Sequence, residues 1–255
     1  MPVLARPDGA RIHYEVAGDP RRPALLLVEG MGGDVAGWRR NVPGLAAERF
    51  VVAMDLRGNA RSTPLEREVD VAELAEDALA LLDELRIERA DVWGMSMGGL
   101  VAQELAFLRP GRVRTLVLGG THPGGEHRVA ARGPIGRFWD ALYAPDFLAS
   151  NPDHVEEDRA ARAGRVQTTT SRRHQRTAAR AFDSWDRLPL LDVPVLVLHG
   201  TEDRVIDVEN GRLLASRIPG AELVLLEGAG HVFHSERSEE VNALVLDFLR
   251  RHRGA

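Results

Sequence analysis

Apolar and polar positions along the 255-residue chain follow two periods in turn. Residues 11–16 alternate between apolar and polar, as in a strand at a sheet edge. Residues 24–28 are a continuous apolar run ending at Glu29 and Gly30, the pattern of a parallel strand covered on both faces. Residues 50–55, 90–93, 113–118, 195–199 and 222–226 are further strand segments. Between them lie helical patterns. Residues 38–48 can form a helix, interrupted near its start by Pro43 and Gly44. Residues 71–85 place apolar side chains at helical spacing with acids on the other face. Segments 100–108, 209–217 and 239–251 complete the set. Strand and helix in alternation predict an α/β fold, a doubly wound and mostly parallel sheet with crossovers of one hand.

The rhythm breaks over 121–189. This stretch has no apolar strand run, is rich in Arg, Ala and Asp, and is punctuated by Pro and Gly. It predicts several helices inserted between two strands, with the core formed by 1–120 and 190–255. The insert would sit on the carboxyl edge of the sheet, where open α/β sheets bind ligands. Its aromatic residues Phe138, Trp139, Tyr143, Phe147, Phe182 and Trp185 fit packing onto the core better than contact with a ligand. Its arginines fit solvated positions, although they could meet an anionic substrate.

Composition narrows the chemistry. A net charge of −5 gives no electrostatic reason to expect nucleic acid, which wants a basic face. All 33 basic residues are arginine, so a P-loop lysine and a Schiff-base lysine are both excluded. The absence of cysteine excludes disulfides, thiol nucleophiles and thiolate metal sites. No signal-like apolar run opens the chain, and the run at 24–28 is far too short to span a bilayer. The expectation is a cytoplasmic protein acting on a small molecule, with no cofactor, metal or membrane partner.

Gly94, Met95, Ser96, Met97 and Gly98 follow a strand and open a helix. This is the G-x-S-x-G pattern in the context it requires. The turn is so tight that the serine backbone is strained and its hydroxyl stands above the sheet, while side chains at 94 or 98 would collide. The helix start behind Ser96 supplies N–H groups and a favourable dipole for an oxyanion. A bare match could also be a turn with a chance serine; its place at the junction points to a nucleophile.

A serine nucleophile needs a base, and the base an orienting acid. For this fold the chain order is Ser, acid, His. Asp203 follows the strand at 195–199, and His231 follows the strand at 222–226, so loops from separate strands converge with Ser96 at one edge. His234 is the alternative base and Glu202 the alternative acid. His199 fits a structural role at its strand end. His13 and His252, near the termini, fit solvated positions.

With these motifs in order, the chain resembles the α/β-hydrolase superfamily over nearly its whole length. Asp55, Arg57, Gly58 and Ser62 resemble the D-x-R-G-x-G-x-S loop, Gly94–Gly99 the nucleophile elbow, His199–Asp203 the acid loop and Gly228–His231 the histidine loop. In detail the sequence is similar to the esterase and lactonase branch, including enol-lactone hydrolases and bacterial methylesterases. The resemblance implies an eight-stranded sheet, a helical cap over 121–189, and backbone oxyanion donors at Met31 and Met97. Two departures stand out. Glu29 replaces the usual His of the loop after the third strand, and Ala60 replaces a glycine. The reading preferred for Glu29 is a carboxylate turned away and hydrogen-bonded to its own loop; the other is a role in substrate recognition or proton transfer.

The implied reaction is hydrolysis of an ester or lactone through Ser96, His231 and Asp203, with Val205, Val232 and Trp139 lining the pocket. The alternatives are a non-catalytic small-molecule receptor on the same fold, or C–C bond hydrolysis or perhydrolysis by the same residues. Dinucleotide binding is rejected, because Val35 occupies the third glycine position of G-x-G-x-x-G.

Overall fold

The computed structural model describes residues 2–131, 138–164 and 167–254, without the Phe138 side chain. Eight strands form one sheet: β1 (Val3–Ala5), β2 (Arg11–Ala17), β3 (Ala24–Val28), β4 (Phe50–Met54), β5 (Ala90–Met95), β6 (Val113–Gly119), β7 (Val195–Gly200) and β8 (Glu222–Leu226). Their order is β1-β2-β4-β3-β5-β6-β7-β8. β1 and β2 are antiparallel additions at one edge, and β3 to β8 pair parallel. This is the doubly wound, mostly parallel sheet that the alternating pattern predicts. Only three residues long, β1 has too little pattern to be read in advance.

The helices are α1 (Val42–Ala46), α2 (Val71–Glu84), α3 (Met97–Leu108), α4 (Phe138–Leu142), α5 (Pro145–Ser150), α6 (Pro152–Ala161), α7 (Thr169–Ala181), α8 (Glu209–Arg217), α9 (Phe233–Glu236) and α10 (Ser238–Arg251). The expected helix over 38–48 is instead a 3₁₀ turn at Val35–Trp38 followed by the short α1, with Pro43 in its first turn. A proline has no N–H to donate inside a helix but is tolerated at its start.

Strand periodicity explains the two faces. Leu26, Val28, Val52, Val92 and Leu118 point to one side, against α2, α3 and α8. Leu25, Leu27, Val51, Trp93 and Val117 point to the other, against α1, α9 and α10. Each such burial contributes about 1.5–3 kcal/mol, which makes the sheet the rigid part of the molecule. His13, expected to be solvated, is buried in β2, where Arg61 Nη1 stands 2.6 Å from its Nε2. His252 is only partly exposed, beside Glu222.

α4 to α7 lie between β6 and β7. Their own apolar cluster is small, Leu142, Tyr143 and Val155 with Val232. Polar ties do much of the docking. Asp158 of α6 binds Arg39 and Arg40 of the core and accepts from Tyr143 and Ser235. Its carboxyl is lowered to about 2: burial opposes ionisation, and the hydrogen bonds and guanidinium charges outweigh it. Among the described residues, no helix is long and apolar enough to cross a membrane.

Candidate active site

Parallel pairing sends the loops after β3, β5, β7 and β8 to one edge. The sheet order reverses beside β3, which pairs with β4 on one side and β5 on the other. Such a switch point opens a crevice at the strand ends. Ser96, directly after β5, lies there with φ 53° and ψ −117°, a region that costs a non-glycine residue of order 1–3 kcal/mol. Surrounding bonds hold it: Ser96 N–H donates to Gly119 O at 2.8 Å, and Thr121 Oγ1 donates to Ser96 O at 2.7 Å. The flanking glycines are required by space. A Cβ at Gly94 would stand 2.2 Å from Gly98 O, and one at Gly98 2.0 Å from Val28 O.

His231 Nδ1 lies 2.7 Å from Asp203 Oδ2. The other oxygen, Oδ1, accepts from the N–H groups of Val205 at 2.8 Å and Ile206 at 2.9 Å. His199 Nε2 stands 3.3 Å from Oδ2 and 3.0 Å from Ile206 O, so this strand-end histidine braces the acid loop. The partners hold the Asp203 carboxyl far below its usual range despite complete burial. Burial disfavours the charged form of His231, but Asp203 outweighs it and the imidazole pKa is raised above its ordinary 6.5. Glu202, the alternative acid, is exposed. His234, the alternative base, meets Glu29 at 3.4 Å and packs on Trp38 with ring centroids 4.8 Å apart.

Met31, Met97, Val205, Val232 and Trp139 line one cavity of about 670 Å³ together with Ser96 and His231. Met97 is the first residue of α3, whose N–H has no intrahelical acceptor. In the loop after β3, Gly32 N–H donates to Asn59 Oδ1 and Gly33 N–H to Gly30 O, while Asn59 Nδ2 donates to Gly30 O and Gly33 O. Among the described residues nothing accepts from Met31 N–H. The segment after β4 is therefore scaffolding for that loop: Asn59 shapes it, Asp55 caps Val35 N–H at 2.8 Å, and Arg57 is anchored on Asp77 at 2.7 and 2.8 Å. Ala60 keeps the left-handed turn of the glycine it replaces, at φ 41°.

Glu29 does bind its own loop, through Gly30 N–H. It also lines the cavity and pairs with Arg162 beyond α6 at 3.3 Å. Burial opposes its charge, yet His234, Arg162 and Gly30 lower its pKa to about 2. Of the other insert aromatics, Tyr143 and Phe182 are buried, Phe147 stacks on Tyr143, and Trp185 stacks on His127 at 4.0 Å; none of these lines the cavity. Phe138 lies outside the described side chains. The sequence reading missed Arg128, Arg172, Arg176 and Arg180, all of which line it, as does His122. Burial and the nearby Arg128 lower the His122 imidazole to about 3, so it is neutral at pH 7. The spacing of 172, 176 and 180, one helical turn apart, was the available signal.

Comparison with known proteins fits this geometry. The chain is 35% identical over 253 residues to the dihydrolipoyllysine-residue acetyltransferase component of the acetoin cleaving system of Pseudomonas putida, covering 94% of this chain and 66% of that protein. It thus spans about two thirds of that relative's length. It is 30% identical over 260 residues to a protein named carbamate hydrolase RutD of Stutzerimonas stutzeri, covering 95% of this chain and 98% of the relative. The structure of the enol-lactonase from Burkholderia xenovorans LB400 superposes with a TM-score of 0.85 at 27% identity, covering 98% of this chain and all of that one. The alpha/beta hydrolase family model matches residues 25–244, and the chain belongs to the alpha/beta hydrolase family.

Proposed function

We propose that the protein is a serine hydrolase that cleaves an ester or lactone of a small organic molecule through an acyl-enzyme. The observation that carries this reading is the 2.7 Å contact of His231 with Asp203 in a cavity shared with the strained Ser96. His231 Nε2 takes the proton of Ser96 Oγ as that oxygen attacks the carbonyl carbon. The N–H groups of Met31 and Met97 bind the resulting oxyanion. As the tetrahedral intermediate collapses, the proton passes from His231 to the departing alkoxide, leaving an ester on Ser96. Water then attacks this ester, giving its proton to His231, and the acid product leaves as Ser96 is reprotonated. Asp203 fixes the tautomer with Nδ1–H and stabilises the imidazolium. The helices of 121–189 serve as the cap over this chemistry.

Ser96→Ala tests the reading directly. Hydrolysis of 4-nitrophenyl and lactone substrates should fall roughly a millionfold if the triad acts as a unit, and the acyl adduct on Ser96, visible by mass spectrometry, should disappear. Retained turnover in the variant would refute the assignment. A wild type that binds esters without turning them over would point to the receptor reading.

A further inference from the structure

The chain as a whole is acidic, yet its cavity is not. Among the described residues six arginines line it, Arg128, Arg159, Arg162, Arg172, Arg176 and Arg180, against a single carboxylate, Glu29. That carboxylate is already matched by Arg162 and His234, and Arg159 has Asp140 at 3.2 Å. Arg128, Arg176 and Arg180 differ from these. Among the described residues no carboxylate pairs with them, and the residues outside the described set include no Asp or Glu. Many arginines elsewhere do have a carboxylate partner, such as Arg187 with Glu104 at 2.8 Å and Arg251 with Glu222 at 2.7 Å.

The arrangement works against the folded chain. Positions 172, 176 and 180 fall on one face of α7, where like charges four apart destabilise a helix. Arg128, on the segment leading from β6, comes close enough to Arg180 for the two cations to repel. Although Arg128 is exposed, its guanidinium is pushed below its ordinary value, first by partial desolvation and then by that repulsion. Arg128, Arg176 and Arg180 are all exposed, so water and salt screen them in part, but a cleft with surplus positive charge still attracts anions, and a guanidinium fork matches an oxyanion with paired N–H bonds.

We propose that Arg128, Arg176 and Arg180 form a subsite for the anionic group of the substrate, so that the ester or lactone carries a free carboxylate remote from the carbonyl attacked. This rests on the hydrolase reading above. Two measurements separate the two. The first compares 4-nitrophenyl hemiadipate with 4-nitrophenyl hexanoate, equal in chain length and different in charge. Wild type should favour the charged ester in kcat/KM by about tenfold or more at low salt, and the preference should shrink as NaCl screens it. Arg180→Gln and Arg176→Gln, both at exposed positions, should each reduce that ratio about tenfold, mainly through KM. The charge-reversed Arg180→Glu should invert it. The second measurement is calorimetric binding of adipate to the Ser96→Ala protein, weakened in the same arginine variants. Equal or better use of the neutral ester, with adipate binding unaffected by the variants, overturns the subsite and leaves the hydrolase reading intact. Adipate binding that depends on the arginines, with no ester turned over, does the reverse.

Discussion

Two histidine–carboxylate pairs lie side by side at the carboxyl edge, and they differ in what the carboxylate does. Asp203 gives one oxygen to His231 at 2.7 Å and the other to two backbone N–H groups of its own loop. Among the described residues it has no tie to the insert. Glu29 is divided among Gly30 N–H, Arg162 of the insert and His234 at 3.4 Å. His234 is wedged beside Trp38 and Trp93, with neither ring nitrogen in a well-aligned hydrogen bond. The first pair is an orienting unit carried by the loops after β7 and β8, while its neighbours Arg204 and Val232 reach the insert. The second joins the sheet to the insert. Residue type alone does not separate them; the neighbours of each carboxylate do.

Exchanging histidines is the strongest way to break the contrast. His231→Ala should lower kcat/KM on simple esters by about five to six orders of magnitude, as loss of a triad base does. His234→Ala should keep kcat/KM within about tenfold while costing about 2–4 kcal/mol of stability from the cavity it leaves against the tryptophans. Steady-state kinetics and urea unfolding of both variants decide the matter. Comparable activity losses would mean that the second pair takes part in the chemistry.

This division also marks how far the sequence could be read. Most of the sheet is legible because its parallel strands are short apolar runs and β2 alternates; the three-residue β1 is not. Ser96, Asp203 and His231 followed from chain order at strand ends. The preferred reading of Glu29 was half of the outcome. Its bond to Gly30 N–H is local and foreseeable, whereas Arg162 is 133 positions away and only the docked insert brings it near. The cavity arginines were assigned to solvent, with an anionic substrate as the alternative, for a similar reason: an Arg-rich amphipathic helix looks like a solvated face until its partner surface is known. Asn59 hid in a motif that gives no sign of its bonds to the β3 loop.

The pH profile sharpens the first pair. As the proposed base, His231 has to be neutral to accept a proton, and its pKa is raised above 6.5. The acid limb of kcat/KM should therefore have its midpoint above 6.5, with the rate falling about tenfold per unit below it. Stability runs the other way. A raised folded-state pKa contributes stability that is complete below the unfolded value and lost as pH rises through the folded one. Activity should gain, and this stability increment fade, over the same interval. Kinetics from pH 5 to 9 beside denaturation in the same buffers test both signs, and a limb midpoint below 6.5 contradicts the pairing.

Glu29→Gln gives the smallest change and probes the second pair. The amide can still accept from Gly30 N–H, but Arg162 loses its buried counter-charge. Removing one partner of a buried pair costs up to about 3–5 kcal/mol. Here Asp34 at 4.0 Å and the face of Trp139 at 5.6 Å remain beside Arg162, so a loss of about 1–3 kcal/mol at pH 7 is expected. Because the Glu29 pKa is lowered to about 2, its contribution is present above the unfolded value near 4.5 and lost as pH falls towards 2. The stability gap between wild type and variant should therefore narrow between pH 5 and pH 3. The charge of Glu29 also helps to raise the His231 pKa, so the acid limb of the variant should move to lower pH while its plateau rate changes only a few-fold. A gap that is constant with pH would show that Glu29 acts through packing alone. An unmoved acid limb would show that the two pairs, though adjacent, do not sense each other.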